Sequence, residues 1–234
     1  MPIFLHNKLW SVSILLLASL MPALTQASGG VVLGGTRIIY PAGQKETSIT
    51  AHNTSEDSRF MVQSWVEDSN GNKAKDFIVT PPLYVSNPRS ENTLRLMYAG
   101  PKLPSDRETL YYLVSNAIPA VDKNTVEGKN LLVLSAATRI KLFVRPAGIH
   151  PSPDEAPKKL TFSRAGRKAI VKNSTPYYIT LTAIKADGQP IKEPVMVPPS
   201  GSEDINLPSA RVASLSYQTI NDYGGLTKEI IWKF

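Results

Sequence analysis

The chain has 234 residues, 26 basic against 19 acidic side chains, a formal charge of +7 and no cysteine. Without thiols it has no disulfide staples, thiol redox chemistry or thiolate metal sites, and it must hold itself together by burial alone. Basic groups scattered through apolar alternation, with no long block of Lys and Arg, argue against a nucleic-acid surface and for a partner bearing negative groups.

At the start of the chain, Lys8 precedes an apolar stretch, residues 12–20, that is too short to span a bilayer, and small residues close it at Thr25-Gln26-Ala27. The pattern predicts a secretory signal peptide over residues 1–27, cut after Ala27, with Ala23 as the alternative. No second long apolar segment follows, so no membrane insertion is expected after cleavage. Removing residues 1–27 takes away one lysine and no acid, leaving 25 basic against 19 acidic groups, a charge of +6, on about 207 residues. That length suits two domains, each with its own core.

Strand signals then recur at residues 31–40, 47–53, 59–67 and 93–98, as short runs of Val, Ile, Leu, Thr and aromatics punctuated by Gly, Pro, Asn and Asp. Ser69-Asn70-Gly71-Asn72 carries an Asn-Gly pair, a strong hairpin signal, and Asp187-Gly188 repeats it after residues 178–186. No long segment keeps a 3.6-residue apolar period. The expected fold class is therefore all-β, with antiparallel sandwiches. Residues 145–153 hold three prolines, which cannot continue a central strand, and strands resume at residues 159–163. The chain divides into a first domain over residues 28–146, a linker over 147–156 and a second domain over 157–234.

The run from 130 to 145 stands apart. Leu132, Leu134, Ala136, Thr138, Ile140, Leu142 and Val144 form one face under a period of two, apolar except for Thr138. Arg139, Lys141, Phe143 and Arg145 form the opposite face of its second half, expected to be wet and cationic. At ~3.3 Å per residue, residues 132–144 would run about 43 Å, roughly twice a typical sandwich strand. Either a long edge strand bends across both sheets, or the excess is reserved for a partner.

Four segments carry a family likeness: Gly35-Thr36-Arg37-Ile38-Ile39-Tyr40-Pro41, Leu103-Pro104-Ser105-Asp106-Arg107-Glu108-Thr109-Leu110-Tyr111-Tyr112, Arg139-Ile140-Lys141-Leu142-Phe143-Val144-Arg145-Pro146 and Ile220-Asn221-Asp222-Tyr223-Gly224. In this order and spacing the chain resembles the periplasmic pilus-assembly chaperones of the PapD/FimC-like chaperone-usher family, over essentially the whole sequence after residue 27. The resemblance implies two immunoglobulin-like β-sandwich domains in a boomerang arrangement. It also implies a periplasmic location, pilin (fimbrial) subunits and an outer-membrane usher as partners, and no cofactor. The mechanism it implies is donor-strand complementation, in which the chaperone lends a strand to a subunit lacking one; chaperone–pilin pairs are themselves a known example of strand addition.

By the same resemblance, Asn130, Leu132, Leu134 and Ala136 belong to the donated strand, while Arg37 and Lys141 grip the subunit's terminal carboxylate and fix the register. Glu108, Arg145 and Asp222 match a trio that bridges the two domains and holds their angle. The short stretch 119–131, in a chain without cysteine, resembles the short-loop members that serve rod-like pili. Two positions depart from the family pattern: Val114 stands where an asparagine is usual, and Ala136 where a bulkier apolar residue is common. The exposed strand would also let free molecules pair with each other.

Other function classes fare worse. His52 and His150 are the histidines left after residue 27, no His, Asp or Glu cluster has metal-ligand spacing, and no nucleophile motif accompanies them, so no catalytic or metal residue is expected. Glu67 and Asp68 are adjacent in a strand and point to opposite faces, and Asn53-Thr54-Ser55 reads as a turn. The alternative reading is a two-domain periplasmic adhesive or carbohydrate-binding sandwich using Trp65, Tyr111 or Tyr177 to stack on sugar, although aromatics at strand positions are more often core.

Overall fold

A computed structural model describes residues 29–121 and 132–234; the expected signal peptide and Asn130 lie outside them. The first domain contains β1 (Val31–Leu33), β2 (Arg37–Pro41), β3 (Thr47–Asn53), β4 (Phe60–Glu67), β5 (Phe77–Thr80), β6 (Leu83–Ser86), β7 (Glu91–Tyr98), β8 (Thr109–Pro119) and β9 (Ala136–Arg145). They form two sheets, ordered β1-β3-β7-β5 and β2-β9-β8-β4-β6, that face each other as a sandwich. Alternation explains the layering: Leu94 and Leu96 of one sheet, and Leu113 and Leu142 of the other, point inward and are fully buried. Phe77 sits among Tyr40, Tyr98 and Tyr111 with ring centroids 4.9–5.7 Å apart, edge to face.

After a single 3₁₀ turn (Ala156–Lys159), the second domain contains β10 (Thr161–Ala165), β11 (Lys168–Lys172), β12 (Ile179–Ala186), β13 (Gln189–Pro190), β14 (Val195–Val197), β15 (Ser202–Asn206), β16 (Ser214–Thr219) and β17 (Ile230–Lys233). Its sheets run β10-β11-β15 and β13-β12-β16-β17, with β14 also on β12. Between them Val171, Leu181, Ile205 and Leu215 form a core separate from that of the first domain. Asp187-Gly188 makes the expected hairpin: both residues have positive φ, 46° and 83°, and Ala186 pairs with Gln189 across them.

Two strand expectations need correction. The run 31–40 is two strands, because the chain switches sheets at Gly34-Gly35: β1 pairs antiparallel with β3, whereas β2 pairs parallel with β9. A Cβ at Gly34 would collide with Thr50 Oγ1, so a side chain at this crossing would force Thr50 to turn its hydroxyl away. The Asn70-Gly71 turn forms, with Gly71 at φ 85°, but its flanks share only the bridge Glu67↔Lys73. The chain then leaves β4 for the opposite sheet, where Phe77 and Val79 are buried in β5 against β7. A turn signal sets the reversal, and burial sets which sheet receives the next strand.

Candidate functional site

The site grows from the neighbours of β9. On one side β8 pairs with it along Ala136–Val144. On the other, β2 begins pairing only at Arg37↔Lys141 and continues to Pro41↔Arg145. Among the described residues no strand pairs with 136–140 on that second side, so β9 has an open edge that ends at the Arg37–Lys141 pair. An added strand running along this edge would meet two cations where β2 starts.

Ahead of β9, residues 132–135 pair with no strand among the described residues. Leu132 is 80% exposed and Leu134 73%, and Ala136 is exposed at the first β9 position. The same even-numbered face continues into Ile140, Leu142 and Val144, which are buried in the home core. One apolar row therefore divides in two, the inner half packed into this fold and the outer half presented to solvent. An exposed strand carrying large apolar side chains is a template for pairing with another chain.

The odd-numbered face corrects the expectation of a wet surface. Arg139 is exposed, its guanidinium 3.4 Å from the centroid of the Tyr112 ring and its Nε donating to Glu67 Oε2 at 2.9 Å. From Lys141 onward, however, the second domain covers this face. Phe143 is only 2% exposed and stacks on Tyr178, centroids 5.7 Å apart. Phe143 is the one apolar residue on an otherwise cationic face, and that was the available signal for an interdomain contact.

Arg145 joins the domains. Its Nε donates to Glu108 Oε1 at 2.7 Å, and its two terminal nitrogens donate to both Asp222 oxygens at 2.6 and 2.7 Å, a bidentate fork. Its guanidinium also lies 5.1 Å from the Tyr177 ring centroid. Glu108 reaches across as well, since its Oε2 accepts the Tyr178 N–H at 2.8 Å and its own N–H donates to Pro176 O at 2.9 Å. Burial pushes the Glu108 carboxyl up, against the pull of Arg145 and the Tyr178 N–H. The Arg145 guanidinium is held charged above its ordinary value: burial opposes this, and the hydrogen bonds and charges of Asp222 and Glu108 together outweigh it.

Arg37 and Lys141 are differently placed. Arg37 Nη1 donates to Ile220 O at 3.1 Å, its Nε is buried without an acceptor, and Lys141 Nζ donates to Thr180 Oγ1 at 3.3 Å. Burial lowers the pKa of both, and for Lys141 the nearby Arg37 charge lowers it further. Among the described residues neither cation has a carboxylate within 4.0 Å. Beside Arg37 lies an interdomain cleft of about 450 Å³, lined in part by Phe143, Arg145, Tyr178, Ile220 and Asp222. Two neighbouring, half-buried cations with donors left over make a seat for an anion.

The remaining candidates have structural roles. Tyr111 and Tyr177 are buried, and Trp65 is half-buried with its Nε1–H donated to Glu67 Oε1 at 3.0 Å, so the sugar-stacking alternative loses its platform. Glu67 serves Arg139 and Trp65, while Asp68 accepts from the Asn70 and Asn72 N–H groups of the turn. Asn53 is fully buried, its Nδ2 donating to Ser58, Ser86 and Asn87 carbonyls. Val114 is buried between its sheet partners Trp65 and Arg139. No helix among the described residues is long and apolar enough to cross a membrane.

Comparison with known proteins adds a family. Residues 30–150 match the pili and flagellar-assembly chaperone PapD N-terminal domain, and residues 155–231 the pili assembly chaperone PapD C-terminal domain. The chain is 44% identical over 221 residues to the probable fimbrial chaperone SfmC of Escherichia coli K12, covering 94% of this chain and 96% of that one. It is 44% identical over 206 residues to the chaperone protein FimC of the same organism, covering 88% and 85%. Among solved structures, it resembles the periplasmic chaperone SfaE (TM-score 0.75, 40% identity, 86% of this chain and 98% of that one). It also resembles the complex of the Salmonella enterica SafA pilin with the SafB chaperone (TM-score 0.80, 28% identity, 90% and 98%).

Proposed function

The chain belongs to the PapD family of pili-assembly chaperones, and we propose that it works in the periplasm, holding fimbrial subunits by donor-strand complementation and passing them to an outer-membrane usher. It is a chaperone of pilus subunits, in a family defined by binding rather than by catalysis. The observation that carries the mechanism is the open edge of β9, with exposed Leu132 and Leu134 at one end and the Arg37–Lys141 pair at the other.

Backbone N–H and C=O groups along such an edge can pair with a subunit strand regardless of its sequence, while alternate side chains select pockets in its groove. Leu132, Leu134 and the smaller Ala136 are the knobs, and Ala136 suits a shallower pocket. Arg37 and Lys141 receive the terminal carboxylate of the subunit, the arginine as a fork and the lysine as a compact charge. Fixing the chain end sets the register, since a slip of one residue would turn every knob out of the groove. Glu108, Arg145 and Asp222 hold the second domain at the angle that closes over this seat.

The test is co-expression with a periplasmic pilin subunit. The wild-type protein should keep the subunit soluble as a one-to-one complex, and Arg37→Ala or Lys141→Ala should lose the complex while keeping wild-type thermal unfolding. A subunit that aggregates or is degraded equally with and without the wild-type protein overturns the chaperone mechanism. Full complex formation by both variants overturns the anchor.

A further inference from the structure

We propose that Thr180, on β12 of the second domain, is a third donor in the carboxylate seat, so that the end of the subunit chain is held by both domains at once. The proposal rests on the seat formed by Arg37 and Lys141 and adds a positioning residue to it.

Thr180 is only 3% exposed, yet it does not belong to the core of its own domain. Ile179 and Leu181 on either side point into that core, so strand alternation turns Thr180 to the outer face, where the first domain buries it. There its Oγ1 accepts the Lys141 N–H at 3.3 Å. Its carbonyl accepts the Ile220 N–H at 3.2 Å, and the Ile220 carbonyl in turn accepts Arg37 Nη1 at 3.1 Å. Thr180 and Ile220 are thus neighbours that offer one acceptor to each of the two cations.

Donors outnumber acceptors here. A hydroxyl carries one hydrogen as well as its lone pairs, and among the described residues the Thr180 hydroxyl donates to nothing. Arg37 Nε is also buried without an acceptor, and Lys141 retains N–H groups beyond the one given to Thr180. Unsatisfied donors in a buried site are destabilising unless an acceptor arrives. At 3.3 Å the Lys141–Thr180 contact is long for a charge-assisted bond, so it exchanges easily for a shorter one to a carboxylate. A carboxylate seated here would accept from Arg37 and Lys141 of the first domain and from Thr180 of the second. Subunit capture would then fix the angle between domains as well as the register of the strand.

The experiment uses the full mature protein and two probes. They are an N-acetylated twelve-residue peptide of alternating valine and threonine ending in a free carboxylate, and its carboxamide twin, with binding followed by calorimetry. The wild-type protein should prefer the carboxylate. Thr180→Val keeps the branched shape and removes the hydroxyl; it should reduce that preference about tenfold, the scale of one hydrogen bond to a charged group. It should leave carboxamide binding unchanged, and Thr180→Ser should restore the preference. Thr180→Ala serves as the hydroxyl-free variant should the valine protein fail to fold.

Equal weakening of both peptides would mean a merely structural role and overturn the proposal. An unchanged preference in Thr180→Val, with the preference lost in Arg37→Ala, would remove Thr180 from the seat and leave the seat standing. Absence of any preference in the wild-type protein, or its survival in both Arg37→Ala and Lys141→Ala, would sink the carboxylate seat itself.

Discussion

Among single residues, the cleft separates charges that are neutralised from charges that are not. Arg145 satisfies two carboxylates directly, whereas Arg37 and Lys141 hydrogen-bond to a backbone carbonyl and a hydroxyl, and Asp222 and Glu108 act on Arg37 from beyond ion-pair distance. Glu108 is the destabilising member of the network, because burial raises its carboxyl more than its partners lower it. The folded state therefore keeps the Glu108 proton to a higher pH than the unfolded chain does. Its ionisation weighs against folding, with no effect below the ordinary glutamate range and a growing one as pH rises through that range until the folded group has ionised. Glu108→Gln, neutral throughout, should gain stability relative to wild type as pH is raised from about 4 towards 7. Thermal unfolding of both proteins across that interval checks it; a difference that is flat, or that runs the other way, would show that the ion pair with Arg145 outweighs burial.

Within one element, β9 and the residues before it are one apolar row with two energetic fates. Leu142 is fully buried, so Leu142→Ala should cost about 2–5 kcal/mol of stability. Leu134 is 73% exposed, so Leu134→Asp should change stability by no more than about 0.5 kcal/mol. Yet the aspartate should abolish subunit capture, because it would place an unpaired charge in an apolar groove. Denaturant unfolding and subunit pull-down on both variants separate the two halves of the row, and a Leu134→Asp protein that still captures subunit would move the donated register elsewhere. The period of two was legible in the sequence, and so was the excess length. What periodicity could not supply was the division point, which depends on where β2 begins to pair, and that depends on the sheet switch at Gly34-Gly35. The covering of Phe143 was hidden for a similar reason: an outward position reads as solvent until a second domain is known to sit on it. Thr180, one of two threonines in β12, had no sequence signal; only its placement opposite Lys141 marks it.

Across the whole molecule, the two sandwiches have separate cores and meet through a small set of polar and aromatic contacts. Arg145 is central to them, donating three hydrogen bonds to two carboxylates, one on each domain. Removing it leaves Glu108, whose side chain is almost wholly buried, without its cation, and breaking a buried pair from one side costs about 3–5 kcal/mol. Because each core is intact without this contact, the loss should fall on the angle between domains rather than on either fold. Arg145→Ala should broaden the distribution of interdomain distances seen by small-angle X-ray scattering and weaken subunit capture, although Arg37, Lys141 and the exposed Leu132 and Leu134 are untouched. The link is geometric: Arg37 and Lys141 reach Ile220 and Thr180 only while the second domain stays close. An Arg145→Ala protein with wild-type scattering and wild-type capture would show that the aromatic contact of Phe143 with Tyr178 suffices to hold the angle.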